Sequence, residues 1–342
     1  MQKTNAGFFF EDYAIGQVIA HAVPRTVGAG ERALYHALYP ARHALASSDT
    51  FARRLGFPGA PLDDLIVFHT IFGKTVPDIS LNAVANLGYA EGRFLAPVFP
   101  GATLQATSEV IGLKENSNGK TGIVWVRTRG TADGVPVLEY VRWVMVRKRD
   151  ADAPAPETHV PVLAPAVTAA SLRRPSGLSL ADYDFWEAGE AHRLGDYAVG
   201  EIIDHVDAVT VEEAEHMMAT RLWQNTAKVH FDTTHREDGK RLIYGGHVIS
   251  LARALSFNGL ANAQLILALN AGAHANPCFA GDTVRAWSEV LDRADLGGGA
   301  GALRLRLVAV RAGTKPGALR DAGGKYHPGI LLDLDYWALV PV

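Results

Sequence analysis

The sequence predicts an α+β chain in which one domain occurs twice in tandem, each copy an antiparallel sheet wrapped around a central helix. Three observations predict this: an internal repeat, a mostly apolar helical segment in each copy, and long strands after each such segment. "DYAIGQVI" from Asp12 returns as "DYAVGEII" from Asp196, and "PVFPGATLQATSEV" from Pro97 returns as "PCFAGDTVRAWSEV" from Pro277, at offsets of 184 and 180. "YVRWVMV" from Tyr140 is echoed by "LDYWALV" from Leu334, with a Trp at the same point. The copies are therefore collinear. Residues 1–149 form the first domain and 183–342 the second, and the Pro- and Ala-rich stretch 150–182 reads as a long tether.

Each copy opens on a polar strand. A mixed helix follows, "GERALYHALY" or "VEEAEHMMATRLW", then an irregular segment and the mostly apolar helix, "PLDDLIVFHTIFGKTV" or "GGHVISLARALSF". A helix apolar on most faces must be enclosed, and a sheet curling round it does so. β-Branched and aromatic residues in "TGIVWVRTRG", "LEYVRWVMV" and "LRLRLVAVRAG" supply the strands. "ENSNGKTG" reads as a hairpin connection with Asn118-Gly119 as its turn signal, and Lys120 as a solvated loop residue. This is the hot-dog plan twice in one chain, a double hot-dog.

Composition excludes several classes of function. The 342 residues are 48% hydrophobic and 20% charged, and 33 Lys and Arg against 36 Asp and Glu give a formal charge of −3. No broad basic field for nucleic acid follows from that balance. The single Cys278 builds neither an internal disulfide nor a zinc cluster, which suits a reducing compartment, and cytoplasm is the default. "MQKTNAGFFFEDY" is unlike a signal-peptide core, and no stretch approaches the roughly 20 apolar residues of a membrane span. With neither a ligand cluster nor a dinucleotide glycine loop, no metal or redox cofactor is expected.

"FLAPVFPGATL" and "HANPCFAGDTV" are similar to the proline-glycine strand motif of the MaoC-like hydratase/dehydratases of the double hot-dog type, a resemblance that covers nearly the whole chain. Longer stretches narrow it: the run from Ala60 to Gly101, "EVIGLKENSNGKTG", "RLWQNTAKVHFD" and "LIYGGHVISLARALSFNGLANAQ". The resemblance implies reversible addition of water to 2-methylfumaryl-CoA, giving β-methylmalyl-CoA, within acetate assimilation by the ethylmalonyl-CoA route or a 3-hydroxypropionate cycle. It implies an acyl-CoA substrate, of which coenzyme A is a part rather than a cofactor, and a further homodimer.

Hydrating an α,β-unsaturated thioester needs a base for water, an acid for the α-carbon, and donors for the charge on the thioester oxygen. The family supplies the first two with an Asp and a His separated by four residues. In "QNTAKVHFD" Asn225 stands in the acid position and His230 in the histidine position. Asn cannot exchange a proton near neutral pH, but its amide can orient water. Asp232, on the same side as His230 if the segment is extended, and the substrate's second carboxylate are the candidates for the missing proton carrier. In the first copy the equivalent "RHALASSD" puts Arg42 on the acid position and Ser47 on the histidine, so that half is expected to hold the acyl-CoA, with Arg42 and His43 supplying cations for a carboxylate or phosphate.

"YGGHVIS" opens the second apolar helix, and Gly246 is the expected oxyanion donor, with Gly245 shaping the turn. His247 either lines the site or caps the helix. Asp64 and His69 repeat the five-residue spacing on a helix, where they diverge by about 140°. Asp63 and Asp64 read as first-turn acids favoured by the helix dipole. A hot-dog thioesterase working through one of them, and a non-catalytic acyl-CoA-binding module, are the alternatives.

Overall fold

The computed structural model describes residues 3–342. Among them ten strands form one antiparallel sheet. In chain order these are β1 (Val18–Thr26), β2 (Ala83–Phe94), β3 (Thr103–Glu115), β4 (Thr121–Ala132), β5 (Val135–Arg147), β6 (Ile202–Thr210), β7 (Ile266–His274), β8 (Thr283–Gly297), β9 (Ala300–Arg311) and β10 (Ile330–Pro341). The order across the sheet is β1-β3-β4-β5-β2-β7-β10-β9-β8-β6, the first half mirrored by the second. The expected double hot-dog is thus present, its copies joined edge to edge where β2 pairs with β7 in the register Tyr89↔Gly272 and Ala90↔Ala271.

The helices are α1 (Ala29–Leu38), α2 (Ala44–Ser47), α3 (Asp49–Arg54), α4 (Asp64–Thr75), α5 (Phe185–Ala188), α6 (Glu213–Leu222), α7 (Lys228–Phe231) and α8 (Gly245–Leu255), with a short turn after α8. α4 is buried from Leu65 to Thr75 and α8 from Gly246 to Leu255, as helices apolar on most faces require. They share one core: Leu65, Ile66 and Phe72 of α4 join Val248, Leu251 and Leu255 of α8. Among the described residues no helix is long and apolar enough to cross a membrane.

The stretch read as a tether is irregular but packed. Val167, Leu172, Leu178 and Leu180 are buried in a second cluster with Phe51, Leu267 and Trp337. The Val167 N–H donates to Asn270 Oδ1 at 2.8 Å, and its carbonyl accepts from Trp337 Nε1 at 2.9 Å. Scattered apolar side chains, too sparse to show a period in the sequence, anchor it against β7 and β10.

The halves approach closely at Gly73. A Cβ there would overlap the Trp223 carbonyl and lie 3.5 Å from the Asn225 nitrogen, so hydrogen is the only side chain that fits. Gly73→Ala is expected to destabilise the protein by about 1–3 kcal/mol, read from the urea midpoint, because backbone rather than a flexible side chain must yield.

Candidate active site

A cavity of about 300 Å³ opens between the halves. Asn225, His230, Tyr244, Gly245 and His274 of the second copy line it with Tyr89, Asn86 and Arg142 of the first. The rest is mainly apolar, including Phe72, Val76, Val229 and Val248, and no carboxylate is among the lining residues.

α6 ends in a tight turn. Gln224 has φ +53°, and the buried Asn225 donates its N–H to the Thr220 carbonyl at 3.1 Å. Its Oδ1 accepts from the Ala227 N–H at 3.0 Å, which leaves the Nδ2 hydrogens free to hold a water. One turn on, His230 Nδ1 lies 2.7 Å from the Leu242 carbonyl. A carbonyl only accepts, so Nδ1 carries the proton and Nε2 keeps its lone pair. Burial pushes the imidazole down to about 4, against a smaller upward pull from the Leu242 bond. His230 is therefore neutral at pH 7, a base of fixed tautomer in a mainly apolar cavity.

Tyr244 precedes α8, and its N–H donates to His216 Nε2 at 2.9 Å. The first N–H groups of α8 have no partner within the helix and carry its positive end. Gly245, the first helical residue, lines the cavity; Gly246 does not. A Cβ on Gly245 would meet the His274 ring, and one on Gly246 would meet the rings of Tyr244 and His69. Both glycines are required by close approach, and Gly245 rather than Gly246 presents its backbone to the cavity.

His274, at the end of β7, was not a sequence candidate. Its Nε2 lies 3.1 Å from the Tyr89 hydroxyl across the β2–β7 seam. Burial, reinforced by His230, pushes it down to about 4. It is a second titratable group in the cavity, and its place three residues before the Pro277 motif was its only mark in the sequence.

Other expected residues lie elsewhere. The segment after Ala227 is helical, not extended, so the geometry that would have put Asp232 beside His230 does not form. Asp232 is exposed and accepts from the Thr234 N–H at 2.9 Å and hydroxyl at 2.7 Å, which holds its carboxyl low. Arg42 is exposed, its guanidinium 4.5 Å over the Phe257 ring, and does not line the cavity. His43 is buried and accepts from Arg253 Nη1 at 2.6 Å; burial and that cation hold it well below the usual range. The Arg42–Ser47 segment turns into α2, and neither Arg42 nor the neutral His43 lines the cavity. His247 is buried beside it, its Nδ1 2.9 Å from the Tyr39 hydroxyl. The helical pair splits as expected: Asp64 accepts from the Ile266 N–H at 2.7 Å, and His69 Nε2 lies 3.1 Å from Ser250 Oγ. Asp63 caps α4 through the Leu65 N–H at 2.9 Å.

The mesaconyl-CoA hydratase family model matches residues 1–317. The chain is 75% identical over 341 residues to mesaconyl-CoA hydratase from Cereibacter sphaeroides, with 99% of each chain covered. It is 57% identical to β-methylmalyl-CoA dehydratase from Chloroflexus aurantiacus, covering 99% of this chain and 98% of that one. A solved structure of a MaoC domain protein dehydratase from Chloroflexus aurantiacus superposes with a TM-score of 0.96 at 56% identity, covering 100% of this chain and 99% of that one.

The buried histidines set the acid stability. Burial pushes His69 and His216 down to about 3, and His205 and His247 to about 4. The unfolded chain takes up these protons from about pH 6.5 downward, while the folded chain does so only near 3–4. Stability therefore falls as pH falls from about 6.5 towards 4. Asp64, pushed up to about 8 by burial, works the opposite way, one group against these four and the likewise depressed His43, His230 and His274. The urea midpoint is expected to be clearly lower at pH 5 than at pH 7.5, by the equivalent of several kcal/mol.

Proposed function

Because the chain belongs to the mesaconyl-CoA hydratase family, we propose that it adds water reversibly to mesaconyl-CoA, giving β-methylmalyl-CoA. The observation that carries this reading is His230, held in one tautomer by the Leu242 carbonyl and lining a cavity shared with the start of α8. The thioester oxygen binds at the Gly245 N–H, where the helix dipole stabilises the enolate charge. Water, held by Asn225 Nδ2, gives one proton to His230 Nε2 as its oxygen bonds to the β-carbon. The imidazolium returns that proton to the α-carbon, so one water is added across the double bond and the base is regenerated. Asn225 orients and does not titrate, which is why the family's Asp is dispensable here.

The thioesterase alternative loses its carboxylate. Asp63 is committed to capping α4 and Asp64 to the Ile266 N–H, and neither lines the cavity.

Mesaconyl-CoA incubated with the protein is expected to gain the mass of one water with the thioester intact. His230→Ala is expected to lower kcat by about 10²–10⁴-fold, the usual contribution of a general base. Product formed equally by wild type and variant would place the base elsewhere, and thiol release would favour a thioesterase. The acid limb of kcat/KM follows from the depressed His230 value. The neutral base exists above about pH 4, so activity is lost as pH falls through about 4, not through the 6.5 of an ordinary histidine. Brief assays started from protein held at pH 7.5 separate this limb from unfolding.

A further inference from the structure

Arg142 lies in β5, the one charged residue in the apolar run "YVRWVMV". Its side chain is wholly buried. Among the described residues no carboxylate is within ion-pair distance of it. Nη1 donates to Ser80 Oγ at 3.0 Å, Nη2 to Thr75 Oγ1 at 2.8 Å, and the guanidinium sits 4.4 Å over the Phe72 ring. Nε is buried with no partner. A guanidinium has five N–H groups, so Nε–H and one hydrogen on each Nη remain, enough for the side-on fork that takes a carboxylate through two parallel bonds. Asn86, on the neighbouring strand β2 opposite Val144, two residues along β5 from Arg142, has neither amide atom partnered although both are buried. Both residues line the cavity that holds His230.

A buried cation without an anion is costly to keep unless a ligand supplies the charge. We propose that Arg142, assisted by Asn86, is the subsite for the second carboxylate of a dicarboxylyl-CoA substrate. The subsite belongs to the first copy: at the matching point of β10 the second copy has Tyr336, aligned by Trp143 and Trp337. The first half thereby selects dicarboxylyl over monocarboxylyl thioesters while the second performs the hydration. The placement also explains why Arg42, exposed and outside the cavity, is not needed for that carboxylate. The assignment rests on the hydratase reading and names its acyl specificity.

The test measures binding of two unreactive saturated thioesters, methylsuccinyl-CoA and 2-methylbutyryl-CoA, by competition against mesaconyl-CoA hydration and by direct titration. They differ by a carboxylate in place of a methyl group. The wild type is expected to bind methylsuccinyl-CoA at least about 100-fold more tightly, the scale of a desolvated charge pair. Arg142→Met should reduce that preference to within about threefold, leave 2-methylbutyryl-CoA binding little changed, and unfold at the same or a higher temperature, since an unpaired buried charge has been replaced by an apolar side chain. Asn86→Leu, a milder change, should reduce the preference in part. Equal loss of both ligands in Arg142→Met, or an unchanged preference in a folded Arg142→Met, overturns the proposal. If Arg142→Met does not fold, a wild type that binds both thioesters alike, or a wild-type preference that Asn86→Leu leaves unchanged, does so. A wild type that prefers methylsuccinyl-CoA but hydrates no mesaconyl-CoA supports the subsite and removes the hydratase reading instead.

Discussion

Main-chain pairing between β2 and β7 turns two five-stranded sheets into one, and the site depends on it. Each five-stranded half has two edge strands, and pairing β2 with β7 satisfies one edge of each within the chain, leaving β1 and β6 as the edges of the joined sheet. The join fixes where α4 and α8 lie, because each is enclosed by its own half. Their one polar contact, His69 to Ser250, is fully buried. The same seam brings the Tyr89 hydroxyl to His274. Neither copy alone contains the cavity: Asn86, Tyr89 and Arg142 come from one, Asn225, His230, Gly245 and His274 from the other.

The second governing effect is desolvation. Between the halves stand His69, His216, His230, His247 and His274, all pushed far below the ordinary histidine range by burial. Bringing that many imidazoles together is tolerable only when they are neutral, and neutrality makes each ring a donor on one nitrogen and an acceptor on the other. Backbone partners then choose the roles. The Leu242 carbonyl makes His230 Nδ1 a donor, while the Tyr244 N–H makes His216 Nε2 an acceptor. Low polarity that disfavours imidazolium also strengthens the pull of the α8 N-terminus on a developing enolate.

Much of this was legible in the sequence, for identifiable reasons. The repeat gave the two copies, and helices apolar on most faces announced that they would be enclosed. His230 and Asn225 sat in a motif whose spacing survives folding because it is local, whereas the expected donor Gly246 stands one residue past Gly245, which lines the cavity. Asp232 was misplaced because its pairing with His230 assumed an extended segment, whereas Lys228–Phe231 closes into a helical turn and sends the carboxylate to Thr234. Arg42 and His43 do not line the cavity because the irregular segment coils into α2 and α3. His274 and Tyr89 were invisible for a different reason: they meet only through a strand pairing between residues 185 apart in the chain. Arg142 did leave a mark, the lone charge in the apolar run "YVRWVMV", and such a charge is seldom buried without a task.

The copies have diverged by exchanging partners within a shared frame. If the first helical residues Asp64 and Gly245 are aligned, Phe72 corresponds to Arg253, and Trp143 with Trp337 aligns Arg142 with Tyr336. In the first half a strand arginine stacks on a helix phenylalanine at 4.4 Å; in the second a helix arginine lies 5.9 Å from a strand tyrosine. The same cation–ring pair is thus built with its members swapped. The swap alters what the cation can reach. Arg253 spends its N–H groups on Ser256 and the Ala263 carbonyl of its own half and on His43 of the other, and neither it nor these partners line the cavity. Arg142 retains an unpartnered Nε beside the shared cavity. Because the second copy's arginine stands on the helix and the first copy's on the strand, Arg142 is the one Lys or Arg side chain among the described residues that lines the shared cavity, and the two ends of that cavity differ in charge.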